Sequence, residues 1–571
     1  MSAPETIDIT LPNYGTIRGS IDTDHQVAIF RNVPYAHVPE RWRVAVKPQP
    51  WTGVRDATVQ GPVPPQVPSL TPLAKMVPEK YFKIGNNPNR QFGVDHSEQD
   101  CLNLNIFVPL SSLKEGAKPI PVLTWIYGGS LRNGNNAVPV YDARNFVAHS
   151  TKLNQPVLVV QPNYRLAAFG FLASKELQED MDEYVRQSPT PISLYDQSIG
   201  NWGLQDQKLA FEWVRENVTA LGGDSRNVVA WGESAGSLSV HYHMLIPAHY
   251  GLFDQAILQS GTVGTMAAGT IELDGQTTFD NLLTNLGIPL DLSGPEKIKR
   301  LRAVPMDELT KAGDAATTGL GFKPIHDGGK LLPSTMPIQA WATLPSSYDP
   351  NLKSVLIGTN KDEGFSFAMA FGDRNMTTWP QLVSKFAPSP QFLPLFESVY
   401  GVPKTDEDVV KIAADYAGDL IFQYPNEEVV DTLVQLSKDR EGKFKLDRYH
   451  FDIETGKFSA LFPGCGSIHG GELLFVFNPP MSVAVLSETE LVVAEEMQKR
   501  WIAFANQGTV YAESENVAHV EKDEAVIWKK DYKVEVGKGR RLSDKALVLW
   551  KALTNLKLQK IQQSLDAAAK K

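Results

Sequence analysis

The stretch VVAWGESAGSLSV, residues 228–240, holds an apolar run, then Gly232-Glu233-Ser234-Ala235-Gly236, then a helix-like pattern. A serine bracketed by two glycines at the end of a strand suggests a sharp strand-to-helix turn. On this reading the glycines free the turn, and the serine oxygen stands exposed among small neighbours. Chance is the competing explanation. With Gly at about 7% of residues, G-x-S-x-G arises by accident in roughly one chain in five of this length. The surrounding sequence has to decide.

Upstream, QDQKLAFEWVRENVTAL (205–221) sets Leu209, Trp213, Val214 and Val218 at helical spacing, which predicts a helix directly before the strand NVVAW. Downstream, FDQAILQSG (253–261) reads as another apolar strand. Strand, turn, helix and strand form the alternation of a largely parallel sheet. LNLNIFVP (102–109), PVLTWIY (121–127) and QPVLVVQPNY (155–164) are nearly continuous apolar runs, as strands covered on both faces require. SVLIGTN (354–360) resumes the pattern, and KFKLDRYHFDI (443–453) alternates like one more strand.

The first 60 residues read as short strands with turns, and 265–350 as mixed and largely helical. Residues 543–571 predict a long C-terminal helix whose apolar stripe suits core packing or a homodimer contact better than a membrane anchor. The fold class is therefore α/β. A central, mostly parallel, twisted sheet flanked by helices is expected in one domain over 1–571, with a small N-terminal antiparallel sheet and helical insertions.

Composition narrows the function. The 571 residues are 42% hydrophobic and 21% charged, enough for a large core. A net charge of −10 without any Lys/Arg block argues against a nucleic-acid partner. No stretch approaches the roughly 18 uninterrupted apolar residues of a membrane span. The start, MSAPETIDITLPNYG, has neither the basic residues nor the apolar core of a signal peptide. Two cysteines, Cys101 and Cys465, are few for a secreted protein of this size. A cytoplasmic location is expected.

A serine hydroxyl is a weak nucleophile. It needs a base within hydrogen-bond reach, itself oriented by a carboxylate. The turn at Ser234 resembles the nucleophile elbow of the α/β hydrolases, a resemblance that implies the chain order Ser, acid, His. After residue 354 the histidines are His450, His469 and His519. His450 lies inside an alternating strand, where a packed role fits better, and His519 lies in a polar surface-like stretch. His469, in PGCGSIHGGELLF, stands in a Gly-rich loop able to place a side chain at the rim of a sheet. For the acid, Asp362-Glu363 in GTNKDEGFSF follows a buried strand and precedes a glycine, and the residues alone do not choose between the two. Acyl transfer also needs backbone N–H donors aimed at the developing oxyanion. TWIYGGSLRNG (124–134) ends a strand in Gly128-Gly129-Ser130, and the N–H of Ala235 follows the serine.

These motifs together resemble the type-B carboxylesterase/lipase family, which includes cholinesterases and fungal lipases. The resemblance runs from about residue 10 to 510, through PWTGVRDAT (50–58), DCLNLNIFVP from Asp100, NYRLAAFGFL (163–172) and GNWGLQDQKLAFEWV (200–214). It continues in WGESAG, LQSG (258–261), PIHDG (324–328), KDEG, IHGGELLFVF (468–477) and WIAFANQG (501–508). It implies the α/β-hydrolase fold and hydrolysis of small ester substrates through an acyl-enzyme. Ser234 would be the nucleophile, His469 the general acid/base and Glu363 the orienting acid, with oxyanion donors at Gly129, Ser130 and Ala235. Glu233 and Ser260 match supporting positions. That chemistry needs no metal and no cofactor.

Several residues depart from the family pattern. Ser130 replaces the third oxyanion glycine, so its Cβ and hydroxyl narrow the pocket against tertiary-alcohol esters. Pro64 takes the place of a cysteine that usually pairs with the equivalent of Cys101, leaving the loop 64–101, often a lid in relatives, unclamped. Met76, Val77, Tyr81, Phe82 and Ile84 would give that lid its apolar face. Asn86 replaces the choline-stacking tryptophan, which argues against acetylcholinesterase activity. The stretch 174–199 is longer than in typical relatives, as a gorge wall or a surface excursion. A lipase and a non-catalytic scaffold are the competing functions, but scaffolds usually lack the serine or the histidine that this chain keeps.

Overall fold

The computed structural model describes residues 5–68, 87, 90–317, 321–511, 524–529, 533–538 and 542–569. Its strands are β1 (Thr6–Thr10), β2 (Thr16–Asp22), β3 (Val27–Pro34), β4 (Val54–Asp56), β5 (Asn103–Pro109), β6 (Ile120–Ile126), β7 (Leu158–Pro162) and β8 (Gly223–Glu233). They continue with β9 (Gln255–Gln259), β10 (Gly269–Thr270), β11 (Ile325–His326), β12 (Ser354–Asn360), β13 (Lys445–Phe451), β14 (Glu524–Trp528) and β15 (Val534–Lys538).

One sheet takes the order β1-β2-β3-β5-β7-β6-β8-β9-β12-β13-β14-β15, with β4 against β2. From β7 through β14 every neighbouring pair is parallel. Strands β5, β6, β7, β9 and β12 are buried at every position, which is why their central residues form apolar runs, with polar residues confined mostly to the strand ends. The N-terminal antiparallel strands exist, but they are not a separate sheet. The pairing of β3 with β5 joins them edge-on to the central one.

Trp125 of β6 lies opposite Trp231 of β8. Their rings meet at 4.8 Å, and Trp231 stacks on Phe477 at 4.6 Å. Each such pair adds about 0.5–1.5 kcal/mol beyond its buried area. This aromatic layer is a rigid footing for the turn at the end of β8. The helix after that turn, Ala235–Leu245, is buried along its whole length.

The C-terminal helix spans Asp544–Ala569. Its stripe packs within the chain: Trp550 Nε1 donates to Tyr400 Oη at 3.1 Å, and Ile561 and Leu565 pack with Ala267. No described helix is long and apolar enough to cross a membrane. The 174–199 stretch forms a helix, Lys175–Gln187, braced by Arg43 and Arg302 on Asp180 and by Lys297 on Glu176. None of its residues lines the cavity above Ser234. It is a surface excursion. Cys101 and Cys465 are both buried free thiols. Most of the expected lid, 69–86 and 88–89, lies outside the described residues, together with its apolar face, Asn86 and His519.

Candidate active site

Ser234 stands between β8 and the following helix at φ 55°, ψ −124°. A non-glycine residue in that region costs of order 1–3 kcal/mol and persists only when its surroundings hold it. They do so here. Ser234 N donates to the Gln259 carbonyl at 2.8 Å, and Leu238 N donates to the Ser234 carbonyl at 2.9 Å. Gln259 is itself fixed, its Oε1 accepting from Trp231 and Trp501.

The bracketing glycines do something other than free the turn. Neither Gly232 nor Gly236 has left-handed backbone. They permit contact instead: a Cβ on Gly236 would stand 1.9 Å from the Ile126 carbonyl oxygen, and one on Gly232 2.4 Å from the Gly236 carbonyl carbon. The serine takes the strain, and the glycines let helix and strands close around it.

His469 comes from the loop that precedes the short helix Leu473–Val476. Asp362 and Glu363, next to one another after β12, divide the work. Asp362 accepts from Ser467 N at 2.8 Å and pins the loop. Glu363, fully buried, accepts from Asn360 N at 2.7 Å on Oε1 and faces His469 Nδ1 at 2.7 Å with Oε2. The ring's other nitrogen, Nε2, lies 3.2 Å from Glu233 Oε1, without hydrogen-bond alignment. Among the described residues no hydrogen bond links Ser234 Oγ to His469, although both line one cavity.

That cavity encloses about 890 Å³, its open mouth included. Its apolar wall includes Phe92, Val138, Val140, Tyr141, Phe367 and Leu473. Gly128, Gly129 and Ser130, in the loop directly after β6, line it too. A Cβ on Gly128 would be 2.8 Å from Ser234 Cβ, so this loop lies directly against the serine. Gln66 pairs with the backbone of Gly134 through both amide atoms, at 2.9 and 3.0 Å, and Arg132 Nε binds Asp314 at 2.9 Å. Among the described residues the N–H groups of Gly129 and Ser130 donate to no backbone carbonyl. The N–H of Ala235, first residue of its helix, has no intrahelical partner. Ser130 has φ 55°, backbone that favours glycine. Ser260 is buried behind the site at φ 51°, its N–H on the Gly358 carbonyl at 2.9 Å.

A family model described as the carboxylesterase family matches residues 5–535. The chain belongs to that family. It is 28% identical over 548 residues to the para-nitrobenzyl esterase of Bacillus subtilis (strain 168), covering 93% of this chain and 96% of that one. It is 28% identical to secreted lipase 1 of Botryotinia fuckeliana (strain B05.10), over 84% and 81% of the two chains. Among solved structures a PNB esterase superposes with a TM-score of 0.69 at 27% identity, covering 93% and 97%. The chain is a carboxylic ester hydrolase.

The esterase surrounds His469 with more than its sequence announces. Phe367 meets the imidazole at 5.2 Å and Phe422 at 4.4 Å. Phe422 lies on a π-turn, Asp419–Gln423, a distortion often found at functional sites. A third buried carboxyl, Glu472, accepts from Gln259 Nε2 at 3.0 Å and from Asn360 Nδ2. Its one sequence signal was an acid three residues past the loop histidine, just before an apolar run.

Burial pushes the Glu233 carboxyl up, with His469 opposing and Glu472 and Glu363 reinforcing the rise. Burial and the neighbouring Glu363 raise Glu472. Burial disfavours a charged His469, but Glu233, Glu363 and Glu472 outweigh it and raise the imidazole above its ordinary value. These groups titrate as a set. Among the described residues no cluster of three His, Cys, Asp or Glu side chains is placed to hold a metal ion.

Proposed function

We propose that the chain hydrolyses small to medium uncharged carboxylic esters through an acyl-enzyme on Ser234. The observation that carries this reading is the 2.7 Å contact of buried Glu363 with His469, in a cavity that Ser234 also lines. Ser234 Oγ attacks the ester carbonyl and passes its proton to His469 Nε2. The N–H groups of Gly129, Ser130 and Ala235 hold the oxyanion. The imidazolium, stabilised by Glu363, returns the proton to the leaving alcohol. A water then gives its proton to His469 and attacks the acyl carbon, releasing the acid and restoring the serine. Serine–histidine hydrogen bonds of this kind commonly tighten only as substrate seats, so a separate Ser234 and His469 is compatible with the mechanism.

The test is hydrolysis of p-nitrophenyl esters from C2 to C16 by wild type and Ser234→Ala, with fluorophosphonate labelling of both. An active, labelled wild type and an inert, unlabelled variant are expected, with the best rates on short chains. A rate that jumps only above the substrate's solubility limit would move the assignment to a lipase. A wild type inert to every ester and to the probe would refute it.

A further inference from the structure

Asn360 closes β12 and carries more hydrogen bonds into the site than its neighbours. Its backbone N–H donates to Glu363 Oε1 at 2.7 Å, and its carbonyl accepts from Gln423 Nε2 at 2.8 Å. Its side-chain Nδ2 donates to the Ile468 carbonyl at 2.7 Å and to Glu472 Oε2. An amide NH₂ has two donors, and both are used here. The two kinds of bond separate cleanly. Any residue but proline would supply the backbone bond to Glu363. The asparagine side chain ties the carbonyl just before His469 to the Glu472 carboxylate three residues after it, acceptors that each have one further donor, Gly471 N and Gln259 Nε2.

We infer that Asn360 is a positioning residue that holds the His469 loop and Glu472 in register with Glu363. This rests on the reading of His469 as the general base. The side chain acts in two ways. Through Ile468 it fixes where the loop delivers the imidazole. Through Glu472 it gives a buried carboxylate a donor, and a carboxylate that loses a donor in a dry site takes up a proton instead. A neutral Glu472 removes one negative charge facing His469, which makes the imidazolium less stable. The charged and titratable groups around this junction among the described residues include Glu233, Glu363 and Glu472 facing His469, Tyr449 on β13, and Tyr141 facing Glu233 and Glu472. Asp362 and the Lys361–Asp452 pair lie at the strand end.

The test is the pH dependence of kcat and kcat/KM for p-nitrophenyl acetate, from pH 5 to 9. It compares wild type, Asn360→Ala, Glu472→Gln and the double variant. In Asn360→Ala, kcat should fall about 10- to 100-fold, the range for a misplacement near 1 Å, while KM stays within about twofold. Its acid limb should also move to lower pH, because a less stable imidazolium deprotonates earlier. Glu472→Gln should move the limb the same way, and the double variant no further. A purely structural role would lower the rate and leave the limb in place. An unshifted limb, or shifts that add in the double variant, would overturn the inference. If Asn360→Ala does not fold, Asn360→Ser keeps one donor and reads the same limb, where an unshifted limb overturns it equally. Failure of the parent reading looks different: wild type itself would have no esterase activity, and the inference would fall with it.

Discussion

Replacing Glu363 by glutamine removes one charge and almost no volume. Glu363 Oε2 lies 2.7 Å from His469 Nδ1, and the residue is fully buried. With the charge centres roughly 4 Å apart and an effective permittivity near 20, the carboxylate stabilises the imidazolium by about 4 kcal/mol. On the proposed mechanism the neutral imidazole becomes an imidazolium as Ser234 gives up its proton, so the loss falls on the transition state. At 1.36 kcal/mol per decade, kcat/KM should drop about 10³-fold. The glutamine amide can also donate to Nδ1 and drive the ring proton onto Nε2, the nitrogen that must accept from Ser234, so the loss should be no smaller than this. Steady-state hydrolysis of p-nitrophenyl butyrate measures it, with circular dichroism checking that the variant is folded. A folded variant that keeps more than a tenth of the activity would refute the reasoning, because the buried carboxylate would then not be stabilising the developing cation.

Ser130→Gly should relieve the left-handed backbone at φ 55° and stabilise the fold by about 0.5–1 kcal/mol in urea titrations, while raising turnover of tertiary-alcohol esters. Equal rates in both proteins would show that the Ser130 side chain does not restrict the pocket. Gly236→Ala forces a Cβ to within 1.9 Å of the Ile126 carbonyl oxygen unless the helix moves. We expect about 3 kcal/mol of destabilisation and loss of fluorophosphonate labelling, and a wild-type melting curve would contradict the close-contact account.

Acid should also unfold the protein early. Burial lowers His241 and His243 to about 3 and lowers His249 too. A depressed histidine favours folding above its unfolded value near 6.5 and loses that stability as pH falls. Each should therefore cost up to about 1.4 kcal/mol per pH unit between 6.5 and its folded value. Urea midpoints from pH 7 to 4.5 should show this decline, and His243→Gln should flatten it.

The central sheet was legible because strands buried on both faces carry unbroken apolar centres, as Val355–Leu356–Ile357 and Ala256–Ile257–Leu258 do between polar ends. The turn at Ser234 was legible as a location, but not as a cause. Close approach of Gly236 to Ile126 is a tertiary contact, and nothing local distinguishes it from conformational freedom. Asp362 and Glu363 could not be separated from spacing alone. Which of two adjacent acids meets the histidine depends on the bridge between Asp362 and Ile468, formed across a hundred residues of chain. Phe422 carried no signal. It reaches His469 from a π-turn, where helical periodicity is broken. The 174–199 stretch resembled either a wall or an excursion until the ion pairs of Asp180 and Glu176 fixed it to the surface.

The bonds that build this site join residues far apart along the chain: 106 positions from Glu363 to His469, 112 from Asn360 to Glu472, and 213 from Gln259 to Glu472. Loops of that length close slowly, because their entropy is lost before any contact repays it. The helix after Ser234, Ala235–Leu245, is by contrast local and can form early. Recovery of esterase activity should therefore trail recovery of helical circular dichroism. On the proposed mechanism, a chain caught between the two would carry its serine helix but have no base within reach of it.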